Sequence, residues 1–185
     1  FLTTCFDINR IDFLSSLGIN IIKVASPDFG SYRMISILLA KFESLIISAG
    51  ASTNEELEKT IDLCKDRDVT FLHCVSTYPC PLGEVNMERM LYLRKRGLKV
   101  GYSDHTLGTE AGKYAICLGA EYVEKHFTLN RYLPGRDQKM AATIDEMSQL
   151  VEWAHLVNSM GGCEEPELSD SQLAFRKNYI SKWGD

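Results

Sequence analysis

Three of the four histidines fall at the ends of apolar, β-branched runs: His73 in VTFLHCVS, His105 directly after LKVGYSD and His126 in EYVEKHF. His105 and His126 are 21 residues apart (126−105). If they close neighbouring parallel strands, which lie about 4.8 Å apart, their imidazoles can share one metal ion. The same spacing also serves a hydrogen-bonded pair of core histidines. Period-two alternation along EYVEKHF puts Tyr122, Glu124 and His126 on one face and Val123, Lys125 and Phe127 on the other. A carboxylate and an imidazole therefore sit side by side. Ser103-Asp104-His105 is not a hydrolase triad, because residues so close on one strand alternate faces and cannot form the relay. Asp104 instead orients a neighbour or caps the next helix.

Lys23 lies inside the run NIIKVAS. A lysine within a buried strand needs an anion or a carboxylate partner. Hydroxyl residues recur at the ends of the runs: Thr3 and Thr4, Ser26, Ser48, Ser76 and Ser103. Taken singly, each reads as a helix N-cap after a short loop. Converging on one rim with Lys23, they would make a phosphate site.

The elements that must position these groups alternate. Apolar runs begin at residues 1, 20, 44, 69, 98 and 121, between 19 and 29 residues apart, and helical patterns fill the gaps. Ile8, Ile11, Leu14 and Leu17 precede Gly18, a helix stop. Ser52-x-x-Glu55 and Thr53-x-x-Glu56 are overlapping capping boxes, and Thr143-x-x-Glu146 is another. Strands alternating with helices at this spacing imply the α/β class and a parallel sheet. Six such units fit part of a (β/α)8 TIM-type barrel of ~250 residues; an open doubly wound sheet fits the periodicity as well. In either, ligands gather at the carboxyl ends of the strands, where the polar residues fall. No GxGxxG or GxxxxGK[ST] motif is present, so neither a dinucleotide fingerprint nor a P-loop is signalled.

The 185 residues amount to about one domain, and 45% hydrophobic with 24% charged residues is ordinary globular composition. A net charge of −5 argues against a nucleic-acid partner, which usually requires a basic stripe. No run approaches the ~18 apolar residues of a membrane helix, so no membrane role is expected. Six cysteines without a CxxC pair read as reduced core thiols of a cytosolic (cytoplasmic) protein. The chain opens on Phe1 inside a strand-like run and reads as a fragment lacking its beginning. From Gly161 onward the polar GGCEEPELSDSQ reads as a linker, followed by the FRKNYISKW run that could dock elsewhere. Residues 1–162 and 163–185 thus form the expected globular unit and tail.

The motifs KVAS, IISAG, LHCVSTYP, VGYSDHTLG and GAEYVEKHFTLNRYLPGRD together resemble the sialic acid synthase family, from Thr4 to about Gly162. The resemblance implies a (β/α)8 barrel of which this chain covers about strands three to eight, followed in the family by a small antifreeze-like domain. It implies condensation of phosphoenolpyruvate with an N-acetylmannosamine-type sugar. By the same likeness Thr4, Lys23, Ser26, Ser48, Ser76 and Ser103 hold the phosphate and carboxylate of phosphoenolpyruvate. His105 and His126 match the metal-binding histidines, for Mn²⁺ or Mg²⁺. Glu124 matches a carboxylate near the reacting centre, and Lys23 is the other catalytic group. Tyr78 and Asp137 match contacts to the acceptor sugar, and Asp28 stands where the family often has Glu. A homodimer is implied for the full-length protein, and inactivity for this fragment alone. The alternatives are another phosphoenolpyruvate-dependent 3-deoxy-ulosonate synthase, or a non-catalytic anion-binding remnant.

Overall fold

A computed structural model describes residues 1–161 and 168–180, with strands and helices alternating along the chain. The strands are β1 (Thr3–Thr4), β2 (Ile21–Val24), β3 (Ser44–Ser48), β4 (Asp68–Cys74), β5 (Lys99–Asp104) and β6 (Val123–Lys125). Between them run α1 (Ile11–Ser16), α2 (Tyr32–Lys41), α3 (Asn54–Leu63), α4 (Glu88–Lys95) and α5 (Glu110–Cys117). After β6 come α6 (Ile144–Met160) and α7 (Asp170–Tyr179). The six strands pair in sequence order, all parallel, as successive strand–helix–strand units require.

The sheet is not flat. Lys23 on β2 and Glu124 on β6 are four strands apart, about 19 Å in a flat sheet at 4.8 Å per strand. Their side chains nevertheless meet, with Nζ 3.3 Å from Oε1. Only a sheet curled into a half-barrel, with these residues on its concave face, allows that contact.

Alternation then divides the chemistry. Ile22, Val24, Leu45, Ile47, Val69, Phe71, Val100 and Tyr102 point outward, where α2, α3, α4 and α5 cover them in one continuous core. Ile35 and Leu38 of α2 and Met90 and Leu93 of α4 are fully buried there. Each such side chain contributes about 1.5–3 kcal/mol of burial energy. The concave face carries Lys23, Ile46, Ser48, Leu72, Cys74, Ser103 and Glu124, apolar toward the strand starts and polar toward their ends. Gly101 keeps this face open, since a Cβ there would lie 2.5 Å from both Leu72 Cδ2 and Tyr122 O.

Local signals operate as the sequence reading expects in several places. Gly18 adopts φ +71°, the left-handed conformation that ends a helix without steric cost. Thr53 and Glu56 form the reciprocal box at α3, and Thr143 and Glu146 form it at α6. Of the overlapping pair only Thr53 caps the helix, because the Ser52 hydroxyl donates to Ala49 O. β6 is shorter than the EYVEKHF run because the chain leaves the ladder at His126, whose carbonyl accepts from Ala142 N at 2.7 Å. Two expectations need correction. Cys117 is exposed on α5, not a core thiol, whereas Cys5, Cys64, Cys74 and Cys80 are buried and free. The polar tail is not wholly a linker, since Ser169 caps α7 by accepting from Gln172 N. Cys163 and the remainder of the 163–185 tail, residues 163–167 and 181–185, lie outside the described residues. Among the described residues no helix is long and apolar enough to cross a membrane.

Candidate active site

The ends of all six strands, with the loops after them, line one concave cavity of about 380 Å³. At its floor lies Lys23, only 6% exposed. Its ammonium donates to Ser48 Oγ at 2.9 Å and faces Glu124 Oε1 at 3.3 Å. Ser103 Oγ donates to the same Glu124 oxygen at 2.7 Å. Lys23 thus has the carboxylate partner that a buried lysine requires, and Glu124 is held by two donors from different strands.

Next to this floor is a cluster of hydroxyls. Ser26 Oγ accepts from Gly50 N at 3.1 Å. A Cβ at Gly50 would fall 2.4 Å from Ser76 Oγ, 2.6 Å from Ser26 Oγ and 3.0 Å from Cys74 Sγ. Only a residue without a side chain lets these groups converge as they do. Thr4 and Phe6 complete the β1 side of the wall.

The opposite wall is aromatic. The His105 and His126 ring centroids are 5.4 Å apart, and Tyr78 lies 4.1 Å from His105 and 6.1 Å from His126. Asp137 Oδ2 comes within 3.7 Å of His126 Nδ1. Burial holds the His126 imidazole below its ordinary pKa, against the opposing pull of Asp137. At neutral pH that contact is therefore with a neutral ring. Burial pushes the Tyr78 phenol up, helped by Cys74, Asp137 and Glu124. His105 Nδ1 lies 2.8 Å from Val75 O, which assigns the proton to Nδ1 and leaves the Nε2 lone pair available. A backbone carbonyl behind a neutral imidazole is the usual support of a metal-ligating histidine. No group of three or more His, Cys, Asp and Glu side chains converges on a point among the described residues. The two neighbouring imidazoles, 5.4 Å apart between ring centroids, are nitrogen donors of the kind a divalent transition-metal ion accepts.

Over residues 1–165 the sequence matches the NeuB family. The chain belongs to the NeuB family. It is 36% identical to the N,N'-diacetyllegionaminic acid synthase of Campylobacter jejuni, over 98% of this chain and 58% of that protein. With the synthase of the same name from Legionella pneumophila it shares 35% identity, over 95% of this chain and 52% of that one. Among solved structures, the N-acetylneuraminic acid synthetase of Leptospira borgpetersenii superposes with a TM-score of 0.87 at 29% identity. That match covers 97% of this chain and 65% of the other. The chain spans about half the length of the curated relatives it matches.

Within this NeuB-family chain the cavity wall includes Thr4, Lys23, Ser26, Ser48, Tyr78, Ser103, Glu124, His105 and His126. Ser76 joins them through the Gly50 contact, and Asp137 stands behind His126. Asp28 is set apart: it lies in a short 3-10 turn outside the cavity wall, where its Oδ1 accepts from Ser31 Oγ. Gly50 and Cys74, which stand at run ends among the residues able to bind something, take part in the site as well. Two participants escaped the sequence reading, and the first, Phe6, carries no local signal beyond its position after a run. Lys125 was set on the face opposite Glu124; it forms a salt bridge with Asp104 at 2.8 Å, both side chains fully buried.

Proposed function

We propose that the protein containing this chain condenses phosphoenolpyruvate with an N-acetylmannosamine-type amino sugar, giving a sialic acid-like nonulosonic acid and phosphate. The observation that carries this reading is the buried Lys23 ammonium among Ser48, Glu124 and Ser103, facing two imidazoles across one cavity. The NeuB membership and the legionaminic acid synthase relatives support it. The six strands are read as strands three to eight of a (β/α)8 barrel, residues 1–162, with 163–185 leading toward a further domain. The whole is read as a cytoplasmic homodimeric enzyme, for which this stretch alone is inactive.

In this reaction C3 of phosphoenolpyruvate attacks the open-chain sugar aldehyde, water adds at C2, and phosphate leaves with C–O cleavage. Lys23 and the hydroxyls of Thr4, Ser26, Ser48, Ser76 and Ser103 hold the phosphate and carboxylate and steady the departing anion. Glu124 takes or delivers a proton beside the reacting carbons, its carboxylate aimed by Ser103 and Lys23. Tyr78 and Asp137 contact the sugar. His105 and His126 would hold Mn²⁺ or Mg²⁺, and nitrogen donors favour the former because Mg²⁺ prefers oxygen ligands. Such an ion supplies Lewis-acid stabilisation and positioning of oxygen ligands.

The test is phosphate release by the intact protein supplied with phosphoenolpyruvate and each candidate sugar: N-acetylmannosamine, its 6-phosphate, and diamino sugars. Chelation is expected to abolish turnover, with recovery on adding Mn²⁺. Glu124→Gln is expected to lower turnover far more than phosphoenolpyruvate affinity, and equal losses in both would remove Glu124 from this role. An intact protein that binds neither phosphoenolpyruvate nor Mn²⁺ would end the synthase reading.

A further inference from the structure

Beneath the two imidazoles lies an ion pair that the reaction itself does not use. Asp104 and Lys125 are register partners, the last pair of the β5–β6 ladder. Each is followed directly in the chain by one of the two cavity histidines. Both side chains are fully buried, with Lys125 Nζ 2.8 Å from Asp104 Oδ2. The second Lys125 bond goes to Thr106 O at 2.7 Å, and the second Asp104 oxygen accepts from Thr106 N at 2.8 Å. Both charged groups therefore grip the backbone one residue past His105, Asp104 from the position before His105 and Lys125 from the position before His126. Helix α5 seals them from water: a Cβ at Gly112 would lie 3.6 Å from Asp104 Oδ2.

Stability alone is a poor reason for such a pair. Taking two charges out of water costs several kcal/mol per ion, and apolar pairs of similar volume are often as good or better. What apolar residues cannot supply is a directional tie between a strand end and a loop backbone. The other ties on His126, the bond from Ala142 N to its carbonyl at 2.7 Å and Asp137 3.7 Å from its ring, do not lead to the loop after His105, whereas the Lys125–Asp104–Thr106 contacts do. We propose that the Asp104–Lys125 pair is a positioning clamp that sets the separation and mutual angle of His105 and His126 for joint ligation of one divalent cation. The proposal rests on the reading of these histidines as metal ligands. Neither Asp104 nor Lys125 is a catalytic residue in it.

The experiment uses the intact protein and Mn²⁺ alone, followed by calorimetry and by the spin-resonance signal of free Mn²⁺, with thermal unfolding and kinetics alongside. Asp104→Asn combined with Lys125→Gln removes both charges together, so no lone charge is left buried. This double variant is expected to fold, to bind Mn²⁺ about 10–100-fold more weakly, and to recover turnover as Mn²⁺ is raised. A folded double variant with wild-type Mn²⁺ affinity overturns the clamp and leaves a merely structural pair. If the double variant does not fold, Asp104→Glu decides, because it keeps both charges but lengthens one arm. Weaker Mn²⁺ binding by this folded variant upholds the clamp, and unchanged binding overturns it. Wild-type protein that binds no Mn²⁺, or binding indifferent to His105→Ala, overturns the metal reading itself.

Discussion

Replacing Gly50 by Ala places a methyl group 2.4 Å from Ser76 Oγ, 2.6 Å from Ser26 Oγ and 3.0 Å from Cys74 Sγ. All three distances are well inside van der Waals contact. The atoms in the way are hydroxyl and thiol tips, which can rotate aside, so the protein should still fold. Rotation of Ser26 forfeits its bond from Gly50 N, about 1 kcal/mol, and each displaced side chain costs about 0.5–1.5 kcal/mol more. Against this, Ala restricts the unfolded chain and returns about 0.4–1 kcal/mol, because Gly50 does not need a left-handed φ. With three side chains displaced, the net loss is about 1.5–5 kcal/mol, a fall in Tm of roughly 3–20 °C for a chain of this size. The functional cost is expected to be larger. A hydroxyl turned away from an oxyanion loses a charge-assisted bond of about 1.5–3 kcal/mol, or roughly 10–100-fold in affinity per hydroxyl. Phosphoenolpyruvate binding by calorimetry, with melting curves on the same samples, measures both. In a Ser76→Ala background the nearest clash is gone, so Gly50→Ala should cost less there than in the wild type. Wild-type phosphoenolpyruvate affinity for Gly50→Ala, or equal cost in both backgrounds, would refute the cradle.

Two further outcomes test the scaffold separately from the site. Thr143→Ala removes the N-cap of α6 and should lower stability by about 1 kcal/mol in a melting curve, with turnover unchanged. Burial pushes the Cys64 thiol up to about 11, so at pH 8 only about one molecule in a thousand carries the thiolate. A chromogenic disulfide reagent at pH 8 should therefore label exposed Cys117 first and reach Cys64 only on unfolding. Fast native labelling of Cys64, read by peptide mass mapping, would contradict the packing of α3 on the sheet.

Local rules carried much of this fold. The capping boxes, the stop at Gly18 and the β-branched runs act through residues one to four positions apart, and such signals are written directly in sequence. The common face of Glu124 and His126 is of the same kind, since alternation is a property of one strand. The curl of the sheet is different. It brings Lys23 to Glu124 across four strands, and no single run encodes that approach. The Gly50 cradle is also tertiary, because its three neighbours come from the ends of β2 and β4 rather than from the loop that holds it.

The Asp104–Lys125 pair lies between these two cases. Read one strand at a time, Lys125 is a charge on the face opposite Glu124, and Asp104 is a residue that orients a neighbour or caps the next helix. Read across strands, it had a signal. Lys125 follows Asp104 by 21 residues, the same interval that separates His126 from His105. If two parallel strands bring the histidines level, the same register must bring the preceding residues level, and their charges are opposite. Opposite charges at register partners on the covered face must pair, because helix α5 leaves no water to solvate either one. Once the register was granted for the imidazoles, the salt bridge followed from it.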